Sequence, residues 1–129
     1  MNVVPADCRY TKEHEWVRID GGLAVVGITD YAQKALGDIT YIELPVDGRQ
    51  VKQSEEFAVI ESVKAAADIY APLSGRVAEA NQSLVESPEI VNEDPHQAGW
   101  ICKLAEFDRA ELDNLLSPEQ YEALLKELG

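Results

Sequence analysis

Phe57-Ala58-Val59-Ile60-Glu61-Ser62-Val63-Lys64-Ala65-Ala66-Ala67-Asp68-Ile69-Tyr70-Ala71-Pro72 is the stretch on which the fold turns. Two strand-like runs, Glu56 to Val63 and Ala66 to Ala71, meet at a lone lysine with small residues on its far side. A lysine at a hairpin tip reaches into water from a rigid base, and alanine neighbours leave room for an approaching active site. Two readings stand on the residues alone. Lys64 is either a site where the amine is acylated, giving a long tethered arm, or a solvated lysine on a loop.

Outward from the hairpin the chain continues as short strands and turns. Glu15 to Asp20 carries Trp16, Val17 and Ile19, and Asp20-Gly21-Gly22 supplies positive-φ residues for a tight turn into Leu23 to Ile28. Thr29 or Asp30 can cap a short helix near 30–36, with Gln33 in capping-box spacing from Asp30 and Gly37 as the stop. Ile39 to Leu44 follows, ended by Pro45 and Asp47-Gly48. Gly75 to Ala80 and Trp100 to Leu104 complete the strands, separated by a segment from Asn81 to Gly99 that reads as irregular. Short strands at this spacing predict a sandwich or barrel of mostly antiparallel pairs.

The C-terminus predicts helices near 109–128. Asp108 can cap a turn carrying Leu112, Leu115 and Leu116, and Ser117-Pro118-Glu119-Gln120 combines an N-cap serine, proline at N1 and glutamine at N3. Tyr121, Leu124, Leu125 and Leu128 then recur at helical spacing on one face. The whole chain, 1–129, reads as one domain with a core of about 10–105 and a helical extension over about 108–128.

Composition limits the partners. With 24 acidic against 11 basic residues the formal charge is −13, which argues against a nucleic acid backbone and an anionic membrane. Proteins with basic patches remain, and Glu55, Glu56, Glu61 and Asp68 flank Lys64 as candidates to steer such encounters. Residues Met1 to Tyr10 lack a basic segment followed by an apolar run, so the cytoplasm is the expected compartment, with a mature organellar chain left open. Cys8 and Cys102 lie far apart and read as two reduced thiols. His14 and His96 read as structural or surface residues, since neither has metal-ligand spacing.

Glu61-Ser62-Val63-Lys64-Ala65-Ala66-Ala67-Asp68 closely resembles the lipoylation motif of the H-protein family of the glycine cleavage system. The resemblance spans nearly the whole chain. It takes in Tyr10, His14-Glu15-Trp16-Val17, Gly27-Ile28-Thr29-Asp30-Tyr31-Ala32-Gln33 and Leu36-Gly37-Asp38-Ile39. Glu43-Leu44-Pro45, Gly48, Ala71-Pro72-Leu73-Ser74-Gly75, Asn92, Pro95, Gly99-Trp100, Leu115-Leu116 and Tyr121 continue it.

The resemblance implies a mostly β fold, a barrel-sandwich hybrid of two antiparallel sheets like those of lipoyl and biotinyl carriers, with flanking helices. It implies a carrier in glycine catabolism and one-carbon metabolism, with no catalytic residue and no metal. Lipoic acid would be joined in amide linkage to Lys64, with Glu61, Ser62, Val63 and Ala65 forming its recognition motif. A lipoyl or octanoyl transferase, or a lipoate ligase, would attach it. The arm would receive an aminomethyl group from glycine decarboxylase, the P protein, and pass it to the aminomethyltransferase, the T protein. Dihydrolipoyl dehydrogenase, the L protein, would reoxidise the dithiol. Covalent tethering keeps the arm at high effective concentration before each partner, which suits a monomer. Glu15 and Asp68 match the positions that would hold the loaded arm's ammonium in a sheltering cleft.

Several positions depart from the family pattern. Ala67 replaces a common serine, Glu13 stands where a small residue often precedes His14, and Ala35 replaces a histidine of some members. Other assignments compete. Val63 and Ala65 take the place of the methionines that flank a biotinylated lysine. A lipoyl domain of a 2-oxo acid dehydrogenase would carry Asp before its lysine and continue into a catalytic domain. A lipoyl-relay paralogue and an unmodified structural relative stay open.

Overall fold

A computed structural model describes residues 2–129. Gly21, at φ +62°, turns β2 (Glu15–Asp20) back onto β3 (Leu23–Ile28), the conformation that residues with a β-carbon avoid. β1 (Arg9–Tyr10) precedes them, and β8 (Gly75–Ala80) and β9 (Cys102–Ala105) follow late in the chain. With β5 (Gln50–Val51) they form a six-stranded sheet in the order β1-β2-β3-β9-β8-β5. β4 (Ile39–Glu43), β6 (Glu56–Ser62) and β7 (Ala66–Tyr70) form a second sheet of three strands, with β6 in the middle. Every pairing is antiparallel, so the chain forms two antiparallel sheets with helices at their flanks.

The strands bury one face and wet the other. Val17, Val26, Val77 and Leu104 of the larger sheet meet Ile42, Phe57, Ile60 and Ile69 of the smaller one in a single apolar cluster. Each such side chain contributes about 1.5–3 kcal/mol by leaving water. The outer face of the larger sheet carries a second cluster of Tyr10, Trp16, Val25 and Tyr121, with Leu116, Leu124 and Leu125 packed against it. Trp16 lies flat on its cross-strand partner Gly27, where a β-carbon would come within 2.6 Å of the indole. Its Nε1 donates to the Pro95 carbonyl at 3.0 Å, which ties the 81–99 segment to β2.

The helix ends follow hydrogen-bonding chemistry. α1 (Asp30–Leu36) is capped by Thr29, whose hydroxyl accepts the Ala32 N–H at 3.2 Å, while the Gln33 amide turns to Asp30. The expected capping box on Asp30 is therefore not formed, because the hydroxyl one residue earlier has the extended backbone a cap requires. α4 (Pro118–Leu128) has the complete capping box between Ser117 and Gln120, as expected. A 3-10 helix over Arg109–Asn114 is capped by Asp108.

The segment from Asn81 to Gly99 corrects the expectation of irregular chain. It holds α2 (Ser83–Glu86) and α3 (Ile90–Glu93), each of one turn, which bury Leu84 and Val91. Neither has a side-chain cap, so neither start carries a signal in the sequence. The last strand begins two residues later than expected, at Cys102. β4, β6 and β7 each stop one residue earlier than expected. Cys8 and Cys102 are separate buried thiols.

Candidate functional site

β6 and β7 are joined by Val63-Lys64-Ala65, and the Ser62 side chain builds the turn. Its hydroxyl oxygen accepts the N–H groups of Lys64 at 3.1 Å and Ala65 at 3.2 Å, and the Ser62 N–H donates to the Ala65 carbonyl at 2.8 Å. This is the local chemistry that makes serine a turn former. Below the turn the ladder runs Glu61 to Ala66 and Ile60 to Ala67. Glu61, Val63, Lys64, Ala65 and Ala66 are all exposed, with Val63 open to 68%. The Lys64 ammonium makes no hydrogen bond or ion pair among the described residues.

The hairpin leans on the bend between α1 and β4. Val63 N–H donates to the Asp38 carbonyl at 3.0 Å. The Lys64 methylenes lie over Gly37, where a β-carbon would sit 3.4 Å from Cε. Gly37 has φ +80° and ends α1, so glycine serves both the helix stop and the approach of the lysine stem.

Glu15 and Asp68 line different hollows of the surface. Glu15 is buried at the start of β2, where its carboxylate accepts from the Thr11 hydroxyl and from the Tyr70 N–H at 3.3 Å. Burial pushes its carboxyl up to about 7, against the pull of those two donors. It lines a cleft of about 270 Å³ with Thr11, Glu13, Gln53, Tyr70 and Asn114. Asp68 is exposed on the outer face of the smaller sheet and lines a separate hollow of about 220 Å³ with Glu43, Arg49 and Glu56. The expectation that both carboxylates line one cleft is thus not met. Both act on the same phenol: partial burial and then Asp68, Glu56, Glu13 and Glu15 push the Tyr70 hydroxyl up.

The histidines have structural partners. His14 Nδ1 is hydrogen-bonded to the Tyr121 hydroxyl, and His96 is buried beside Trp16. No group of three or more His, Cys, Asp or Glu among the described residues is arranged to hold a metal ion. No helix among them is long and apolar enough to cross a membrane.

A family model described as Glycine cleavage H-protein matches residues 8–128. The chain belongs to this family. It is 55% identical over 129 residues to the glycine cleavage system H protein of Carboxydothermus hydrogenoformans, covering 100% of this chain and 99% of that one. The glycine cleavage system H protein of Symbiobacterium thermophilum is 53% identical over 98% of this chain and 99% of its own. The crystal structure of a glycine cleavage system H protein from Mycobacterium marinum superposes with a TM-score of 0.84 at 35% identity, covering 93% of this chain and 97% of that one. The two antiparallel sheets with flanking helices are therefore the fold of the glycine cleavage H-proteins. These are the lipoyl carriers of the glycine cleavage system, and the family bears a covalently attached lipoate.

The hairpin of this H-protein fits that group. An amine with no hydrogen-bond or ion-pair partner among the described residues, on a tip fixed by Ser62 and walled by alanines, is open to acylation. Sequence reasoning gave Asn92 no role and Gln33 only that of a helix-capping partner, yet their side chains meet beneath the tip. No signal paired them: Gln33 lay on an expected helix and Asn92 in a segment that read as irregular.

Proposed function

We propose that this chain carries lipoate in amide linkage on Lys64 and works as a non-catalytic shuttle of the glycine cleavage system. Its partners are glycine decarboxylase, the aminomethyltransferase and dihydrolipoyl dehydrogenase, after acylation by a lipoyl or octanoyl transferase or a lipoate ligase. When bound, the lipoyl group supplies a pair of sulfurs that accept and deliver the aminomethyl group. The observation that carries the reading is the unpartnered Lys64 amine at the end of a backbone-pinned hairpin.

The chain's own residues hold and steer. Glu61, Ser62, Val63 and Ala65 give the modifying enzyme a rigid tip to grip. The Glu15 cleft is the resting place for a cationic group at the end of the arm: a carboxyl raised by burial ionises when an ammonium enters, and a partly dry cleft strengthens that pair. Asp68, in its separate hollow on the smaller sheet, adds to the acidic flank of Lys64 that steers partners. The unit is one domain over 1–129, acting as a monomer in the cytoplasm.

Intact-mass measurement of protein from lipoate-replete cells tests the assignment. One lipoyl adduct is expected, absent in Lys64→Ala; an unmodified or biotinylated chain overturns it. Carbon dioxide release from glycine by the three partner enzymes should require the lipoylated chain. Independence from it would move the reading to a lipoyl relay.

A further inference from the structure

Two side-chain amides beneath the lysine hairpin are locked in orientation by their partners. Gln33 Nε2 donates to Asp30 Oδ1 at 2.8 Å, so its Oε1 is left to accept. Asn92 Nδ2 donates to that oxygen at 3.0 Å and to the Gly37 carbonyl at 2.9 Å. Asn92 Oδ1 therefore faces the other way, where it accepts the Ile39 N–H at 2.9 Å. One amide thus grips the main chain on both sides of Asp38.

That grip lies where the sheet itself is weak. Ile39 pairs with Ser62, but the register slips between Ile39 and Tyr41, so the regular ladder of β4 and β6 begins beyond it. Asp38 supplies the carbonyl that holds Val63, and Gly37 is the surface beneath the Lys64 stem. Asn92 itself is seated by α3, whose Val91 is fully buried and whose Asp94 N–H closes the turn on Ile90 at 2.8 Å.

We infer that Asn92 is a positioning residue for Lys64: it fixes the 37–39 shelf that sets the hairpin tip, and so governs how readily the modifying enzyme acylates the lysine. The inference rests on the reading of Lys64 as the acylated residue. Asn92 touches neither the lysine nor any ligand. Its action runs through Gly37, Asp38 and Val63.

The test uses the full chain before modification, with a lipoate–protein ligase, lipoate and ATP, and follows the adduct by intact mass. Asn92→Ala should lower kcat/KM for acylation by about ten-fold, the scale expected when three part-buried hydrogen bonds that hold the shelf under a reactive group are lost. Asn92→Asp should fall with it, because a carboxylate still accepts from Ile39 but faces two acceptors at Gly37 and Gln33. Gln33→Ala, a milder change that removes one of three hydrogen bonds and leaves the Asn92 amide held by Gly37 and Ile39, should show a smaller loss in the same direction. Amide exchange at Val63 should quicken in all three while Val26 in β3 is unchanged. Leu116→Ala, under α4, supplies a comparison of equal or greater thermal destabilisation and should be acylated normally.

Acylation of Asn92→Ala at the wild-type rate, or with a loss no greater than that of Leu116→Ala, overturns the inference. So does unchanged exchange at Val63. A wild-type chain that takes no adduct, or takes it elsewhere than Lys64, overturns the reading of the lysine itself and is recognised without any variant.

Discussion

His14 Nδ1 and the Tyr121 hydroxyl lie 2.8 Å apart, and the same hydroxyl is 2.7 Å from Thr29 Oγ1. One phenol thereby joins three parts of the chain: the turn before β2, the cap of α1 and the buried face of α4. His14 adopts φ +73°, an unfavourable backbone for a residue with a side chain, and its ring is braced against Tyr31 at a centroid distance of 4.5 Å. The Tyr121 ring stacks on Tyr10 at 4.5 Å, so the C-terminal helix is fastened by a ring face and the hydroxyl of one side chain.

Tyr121→Phe isolates the polar part of that fastening. The ring and its stacking remain, while His14 and Thr29 each lose a partner in a buried setting. A cost of about 1–3 kcal/mol is expected in urea unfolding. Stability equal to wild type would mean that the hydroxyl contributes nothing beyond its ring.

The pH dependence of stability follows from groups that act in opposite directions. Glu15 has its folded carboxyl raised from 4.5 to about 7, so its contribution is complete below pH 4.5 and lost as pH rises through 7. The loss is about 3 kcal/mol. Burial lowers His14 and His96 below 6.5, so their contribution is complete above that pH and lost as pH falls below it. Glu15→Gln should therefore leave stability near pH 4 unchanged and raise it at pH 8. Denaturant unfolding across that range decides the matter; parallel curves for the two proteins would contradict the burial assigned to Glu15.

Gly27→Ala and Gly22→Ala form a matched pair. A β-carbon at 27 would press into Trp16 at 2.6 Å, whereas one at 22 meets nothing within 4 Å. The first should cost about 1–3 kcal/mol by overpacking. The second should stay within about 0.5 kcal/mol of wild type. Thermal unfolding reads both, and equal effects would show that the indole shifts freely.

Ser62→Ala removes the acceptor for two N–H groups at the tip without touching the core. Exchange of the Lys64 and Ala65 amides should quicken, while global stability falls by no more than about 1.5 kcal/mol. A cooperative loss of the whole smaller sheet would mean that the turn does more than shape its own loop.

The acidic flank of Lys64 should act on encounter rates. Glu55 is already engaged with Arg49 at 3.4 Å, which leaves Glu56, Glu61 and Asp68 as the freer charges. Acylation of the lysine by a ligase with a basic docking face should slow as salt rises from low to physiological strength. Charge reversal at Glu61 should remove most of that dependence. A rate indifferent to salt would return the acidity to a solubility role.

Legibility in the sequence followed the length over which a signal persists. The hairpin around Lys64, the Gly21 turn and the capping box at Ser117 each rest on chemistry within a few neighbouring residues, and each formed as expected. β1 and β5 have two residues each and carry no alternation to detect. α2 and α3 lack side-chain caps, and they exist because Leu84 and Val91 are buried by distant parts of the chain. At the site, Lys64 stood out by its surroundings in sequence. Asn92 did not, since its meaning lies in Gly37 and Ile39, more than fifty residues away. Asp68 was assigned to a cleft by its position in a motif, and it lies exposed over the smaller sheet in a hollow apart from that of Glu15.

The burial of Cys8 and Cys102 has a chemical consequence for a chain that bears a disulfide on a flexible tether. Thiol–disulfide exchange requires a thiolate, and burial pushes the Cys8 thiol up to about 11 and the Cys102 thiol higher still. Any nucleophilic sulfur on the carrier's own surface would meet the tethered ring at high local concentration and capture it as a mixed disulfide. Keeping both thiols protonated inside the protein insulates the carrier from its own cargo-bearing sulfurs.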